Sequence, residues 1–208
     1  MIVGQAVHPG IEKSLADAVQ EYYFSYPIIT DEHINEVMKL ETVIPLARAA
    51  IPQGGKFEVE ISDEDFHGFI DYLAPVSLDM DERDDICSRC GEKNCPYENS
   101  GTCKKGKYDG LYDIYDFKYS NNVSGYKQSA QLHLYKYFFE RDNPGKKIRN
   151  LYLVFVPKVS IRQKKTETLQ DFRKRLKEEL SKVEVKIVQI EFSMEKVLGF
   201  LFEIKAVN

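Results

Sequence analysis

Along the N-terminal quarter of the chain, apolar residues return every three or four positions. Ile11, Leu15, Ala18, Val19 and Tyr22 share one face before Pro27 closes the run, which predicts a helix over residues 10–26. Thr30 reads as the N-cap of a second helix carrying Ile34, Val37, Met38 and Ile44, which Pro45 kinks or ends before the turn at Pro52, Gln53, Gly54 and Gly55. The period then drops to two. Residues 56–61 and 66–74 read as strands joined by a short turn, a hairpin. A further strand is predicted over 110–119, a helix over 126–141 stopped by Asn143, Pro144 and Gly145, and an apolar strand over 151–156. An amphipathic helix over 168–181, a strand over 183–192 and a last helix capped by Ser193 complete the chain.

This order predicts an α/β fold, a mixed central sheet flanked by helices. Residues 77–109 interrupt it: the stretch is polar, contains glycine and holds every cysteine, so it reads as a small insertion. At 208 residues the chain is expected to form a single domain, 1–208, with 77–109 as an inserted knuckle.

Composition narrows the function. No apolar run reaches the length needed to cross a membrane, and the start Met1, Ile2, Val3, Gly4 lacks the basic flank of a signal peptide, so a cytoplasmic protein is expected. A net charge of -4 argues against holding nucleic acid by bulk positive charge, and leaves room for local basic patches at 104–107, 146–147, 162–165 and 173–177. Taken singly, each patch reads equally as a solvated surface.

Candidate chemistry sits on two of the predicted strands. In Ile114, Tyr115, Asp116, Phe117, Lys118 the two-residue period puts Asp116 and Lys118 on one face. In the strand before it, Gly68, Phe69, Ile70 and Asp71 end an apolar run on an acid. Two carboxylates and a lysine suit a divalent-metal hydrolase: Mg²⁺ takes a few carboxylates and keeps several waters, and a fixed ammonium orients the attacking water and stabilises developing charge.

These residues resemble the G-x-I-D and D-x-K signatures of PD-(D/E)XK nucleases, of the RecB-like exonuclease branch that includes the CRISPR adaptation nucleases. Gln131 to Tyr135 resembles the Q-x-x-x-Y motif of that branch, and Gly4 to His8 its G-x-x-x-H motif. The resemblance spans residues 4–155 in order, and the ordered set is far more specific than any single motif. It implies a restriction-endonuclease-like core in which Asp71, Asp116, His8 and the main-chain carbonyl of Phe117 hold Mg²⁺ or Mn²⁺. Lys118 would serve the nucleophilic water, Gln131 and Tyr135 would position Lys118 and the DNA, and Glu60 would act as an outer or second-metal group. Since Pro9 follows His8, the histidine is expected at a helix start. The segment that commonly precedes this motif in relatives is absent, so part of the usual substrate-binding wall is expected to be either missing or supplied by a partner.

Cys87, Cys90, Cys95 and Cys103 form C-x2-C-x4-C-x7-C in one polar segment, and clustered thiols in a cytosolic protein point to metal more than to disulfides. A structural Zn²⁺ suits four thiolates, and an iron–sulfur cluster is the alternative. In the iron–sulfur relatives the cysteines flank the core at both ends, whereas these lie between two core strands. Lys104, Lys105 and Lys107 beside them suggest contact with the DNA backbone.

The expected activity is that of a metal-dependent deoxyribonuclease, exonucleolytic by the resemblance, acting on single- or double-stranded DNA in recombination, repair or replication of a phage or mobile element. The alternatives are a non-catalytic nucleic-acid-binding protein that keeps the fold, or a subunit that cuts only inside a larger complex. Each motif alone also has a plain reading. Asp116 and Lys118 can be a surface pair, His8 a helix cap, and Gln131 with Tyr135 an ordinary helix face.

Overall fold

The first amphipathic stretch folds as two helices, with the break at Ser14. In the computed structural model, which describes residues 3–63, 66–76 and 110–207, the N-terminal elements are α1 (Val3–Glu12), α2 (Leu15–Phe24), α3 (Asp31–Ala49), β1 (Lys56–Ser62) and β2 (His67–Pro75). They are followed by β3 (Gly110–Tyr119), α4 (Val123–Tyr126), α5 (Gln131–Asp142), β4 (Lys146–Val156), α6 (Leu169–Leu180), β5 (Lys186–Ile190) and α7 (Met194–Val207). The cysteine knuckle expected at 77–109 lies outside the described residues. Two compact units form. One comprises Met1–Pro52, Phe117–Lys127 and Leu153–Val188, the other Gln53–Asp116, Gln128–Tyr152 and Gln189–Asn208.

In the first unit, α1 buries Val3, Ala6, Val7, Gly10 and Ile11 at the spacing of one helical face. A Cβ on Gly10 would run into the Ile44 side chain and stand 2.9 Å from Cβ of Ala18, so this glycine lets α1 approach α2 and α3 closely. The single helix expected over 10–26 is corrected to two. Ser14 takes an extended backbone, its Oγ accepts the Asp17 N–H at 3.1 Å, and the cap resets the chain although the apolar spacing runs on through it. His8, expected at a helix start, lies inside α1: Pro9 is tolerated there, and the ladder resumes with Lys13 N–H on the Pro9 carbonyl at 2.8 Å. Helix α3 starts after Thr30, whose N–H donates to Nδ1 of His33 at 3.1 Å, and passes through Pro45 to Ala49. Phe172, Leu176 and Leu180 of α6 pack with Met38, Val159 and Ile161, and Arg173 ties the two helices by bonding Asn35 at 3.0 Å and Asp31 at 2.9 Å.

The five strands form one mixed sheet in the order β1-β2-β3-β4-β5. β1 and β2 are the expected hairpin, antiparallel from Lys56↔Leu73 to Ser62↔His67, and β2 pairs antiparallel with β3 from Tyr72↔Tyr115 to Pro75↔Tyr112. Asn150 N–H reaches the Asp113 carboxylate at 2.9 Å and Ser120 N–H reaches the Val156 carbonyl at 3.1 Å, so β3 and β4 run in the same direction. That parallel step needs a crossover, and α5 supplies it.

Within the second unit, α5 buries Leu132, Leu134, Tyr135, Phe138 and Phe139 and packs against β1 and α7. Phe138 stacks on Phe66 with ring centroids 4.9 Å apart. The helix expected over 126–141 is corrected to a short α4 and a separate α5. Asn122 Oδ1 accepts the Gly125 N–H at 3.3 Å to begin the first, and Ser129 Oγ accepts the Gln131 N–H at 3.2 Å to begin the second. No helix among the described residues is long and apolar enough to cross a membrane.

Candidate metal centre

Strand β1 carries a kink where the hairpin carries its acids. Glu58 has φ 48°, the single positive φ of a non-glycine residue among the described residues, and it stands across from Asp71 between the pairs Phe57↔Tyr72 and Val59↔Ile70. The register is the same on both sides, so no residue is inserted and the distortion is confined to Glu58. Backbone in this region costs a non-glycine residue about 1–3 kcal/mol and persists only where the surroundings impose it. Here it brings a carboxylate oxygen of Glu58 within 4.8 Å of one on Asp71.

Asp116 continues the row. Carrying the β2–β3 register one pair beyond Tyr72↔Tyr115 places Asp71 opposite Asp116, so the three acidic positions fall on neighbouring strands in the order Glu58, Asp71, Asp116. They differ in access: Glu58 is exposed, Asp71 half-buried, and Asp116 only 1% exposed.

Tyr135 of α5 fixes the hairpin from one side. A Cβ on Gly68 would stand 2.9 Å from its ring, so the glycine of the G-x-I-D motif makes room for the tyrosine of the Q-x-x-x-Y motif. The Gln131 side-chain amide donates to the Tyr135 hydroxyl at 2.8 Å, and the Phe69 backbone N–H donates to the same oxygen. Burial raises the Tyr135 pKa, the hydrogen bond from Gln131 opposes it, and the charges of Asp116 and Asp71 raise it again. The phenol therefore stays protonated beside the acids.

His8, Phe117 and Lys118 belong to the first unit. Lys118, near the end of β3, holds its ammonium 5.7 Å from the centre of the Tyr126 ring, a cation–π contact. His8 of α1 meets Phe117 edge-on with centroids 6.2 Å apart, and a Cβ on Gly4 would stand 3.1 Å from the Tyr119 ring, so the glycine of G-x-x-x-H seats α1 on the end of β3.

Glu60 is held at 3.1 Å by Nε2 of His67. Sequence reasoning nominated Glu60 and passed over Glu58, although the two alternate on the same strand. The signal that separates them is the Asp71 register, which pairs Glu58 with the acid and Glu60 with Phe69. Cys87, Cys90, Cys95 and Cys103 lie outside the described residues.

Comparison with known proteins finds no family model, no curated protein and no solved structure that matches this chain.

Proposed function

We propose that this protein is a Mg²⁺- or Mn²⁺-dependent nuclease hydrolysing phosphodiester bonds of DNA on a restriction-endonuclease-like core. The observation that carries the reading is the approach of Glu58 and Asp71, whose carboxylate oxygens lie within 4.8 Å of one another, with Asp116 at the position of β3 that the register sets opposite Asp71. Such hard oxygen donors at that separation fit Mg²⁺ or Mn²⁺, whose ligands lie about 2.0–2.1 Å from a Mg²⁺ ion. They do not suit a soft, thiolate-preferring metal.

A bound Mg²⁺ or Mn²⁺ would supply charge neutralisation at the scissile phosphate and activation of the attacking water. Asp71 and Asp116 would hold it, with Glu58 joining them from β1. His8 and the carbonyl of Phe117 are further ligands by the resemblance. The Lys118 ammonium orients the attacking water and offsets the charge that grows on the phosphate. Tyr135 and Gln131 act as positioning residues: they lock β2 through Gly68 and the Phe69 amide, so Asp71 stays aimed while the substrate is bound. The four cysteines form a structural zinc knuckle in this reading.

Calorimetric titration with Mn²⁺, run beside a DNA cleavage assay, tests the assignment. Asp71→Asn and Asp116→Asn are expected to lose both metal binding and cleavage, and Lys118→Ala to lose cleavage while still binding metal. Retention of full cleavage by either Asn variant would refute it. Binding of DNA without cutting would assign the chain to a scaffolding role.

A further inference from the structure

Helix α7 is apolar on two faces. The inner one buries Val197 and sets Phe200 edge-on to Phe66, at 88° with centroids 6.1 Å apart. The outer one presents Met194, Leu198 and Phe202, which are 45%, 47% and 71% exposed. They recur at every fourth residue, so they form one ridge about 12 Å long. Apolar side chains scattered singly over a surface are ordinary, whereas three in one helical ridge make a patch.

The ridge beside it reads Glu195, Gly199, Glu203, and all three residues are exposed. A Cβ on Gly199 would meet nothing within 4 Å, so no contact of this kind calls for a glycine there. Glycine inside a helix destabilises it relative to alanine, yet it leaves a notch in which another helix can lie close. Glu195 and Glu203 stand at either end of that notch, and neither is in an ion pair among the described residues.

Charge decides what fits this face. Antiparallel pairing of two α7 helices about Leu198 would set Met194 against Phe202, but it would also bring Glu195 alongside Glu203 of the second copy. Parallel pairing would supply no cation to either acidic ridge. Anionic lipid headgroups meet the same repulsion. A helix whose apolar stripe is flanked by lysine or arginine matches both ridges, with its apolar side chains on Met194, Leu198 and Phe202 and its cations on the glutamates.

We propose that the outer face of α7 docks a basic amphipathic helix of a partner protein. The proposal is independent of the nuclease reading, which uses none of these residues.

Two labelled synthetic peptides of about five helical turns test it, both with leucines at alternating three- and four-residue spacing, one flanked by lysines and the other by glutamates. Each is titrated with the full chain and followed by fluorescence anisotropy. Saturable binding of the lysine-flanked peptide and none of the other is expected. Phe202→Ser is expected to weaken that binding about 30-fold. Gly199→Gln fills the notch with an ordinary helix former, and is expected to weaken binding about tenfold while the melting temperature holds or rises. The double variant Glu195→Lys, Glu203→Lys is expected to reverse the preference and take the glutamate-flanked peptide. Failure of the lysine-flanked peptide to bind, equal binding of the two, undiminished binding in F202S or G199Q, or no reversal in the double variant would each overturn the proposal. Self-association in sedimentation that F202S abolishes would overturn it in favour of a second copy, and co-sedimentation with phosphatidylglycerol vesicles that F202S abolishes would overturn it in favour of a membrane.

Discussion

Gly68 and Tyr135 interlock: a Cβ on the glycine would stand 2.9 Å from the tyrosine ring, so the hairpin strand and the crossover helix can meet only because one of them lacks a side chain. Two motifs far apart in sequence thereby become one structural unit. Gly68→Ala is expected to destabilise the protein by about 1–3 kcal/mol through overpacking, read from urea unfolding. In a Tyr135→Ala background the same change is expected to cost much less, because the clash has gone. Additive losses in the double variant would show that the contact does not set the geometry.

The strained Glu58 backbone makes opposite demands on stability and activity. Glu58→Gly relieves a conformation that glycine adopts freely, and is expected to stabilise the fold by up to about 1 kcal/mol while lowering metal-dependent cleavage. Glu58→Gln, which keeps the strain, is expected to lower cleavage without that gain. It should cost more activity than Glu60→Gln, because Glu60 is occupied by His67. A Glu58→Gly variant that is both more stable and fully active would remove Glu58 from the site.

Much of this arrangement can be read from the sequence, and the parts that cannot share a cause. The strand over 110–119 has the expected limits because its Leu, Ile, Tyr and Phe residues end against the polar run Ser120, Asn121 and Asn122. The hairpin follows from two such runs with a short turn between them. The break at Ser14 is hidden because α1 and α2 continue one apolar spacing across it, and only the hydroxyl cap marks the reset. Pro9 argues for a helix start at His8 on local sterics, yet the apolar face from Val3 to Ile11 outweighs the bond lost at the proline. Glu58 is invisible for a different reason. Its importance depends on which residue of β2 it faces, and register is a property of the pair of strands.

His133 gives the fold a pH dependence. It is 1% exposed on α5, and its Nδ1 accepts the Ser193 N–H at 3.1 Å, at the start of α7. Burial first, and the charge of Lys196 second, hold its pKa below the ordinary 6.5. The unfolded chain then takes up the proton at a higher pH than the folded one. The stabilisation is complete above 6.5 and declines as pH falls from there toward the lower folded value. Thermal melts across pH 8 to 5 are expected to show this decline, and His133→Asn to flatten it. An unchanged profile in the variant would assign the acid sensitivity to another group.

The cysteine spacing predicts a bound metal independent of the catalytic one. Elemental analysis of the purified protein is expected to find about one zinc per chain, and its removal by chelation to lower the melting temperature. Iron with acid-labile sulfide and a brown colour would instead establish an iron–sulfur cluster.

Incubation of the purified protein with linear and circular DNA, single- and double-stranded, in Mg²⁺, Mn²⁺ or EDTA, beside Lys118→Ala, tests the central claim most directly. Degradation of linear DNA that requires the metal and disappears in the variant is expected, with circles spared by an exonuclease. Cleavage that survives EDTA, or that persists undiminished without Lys118, would contradict it.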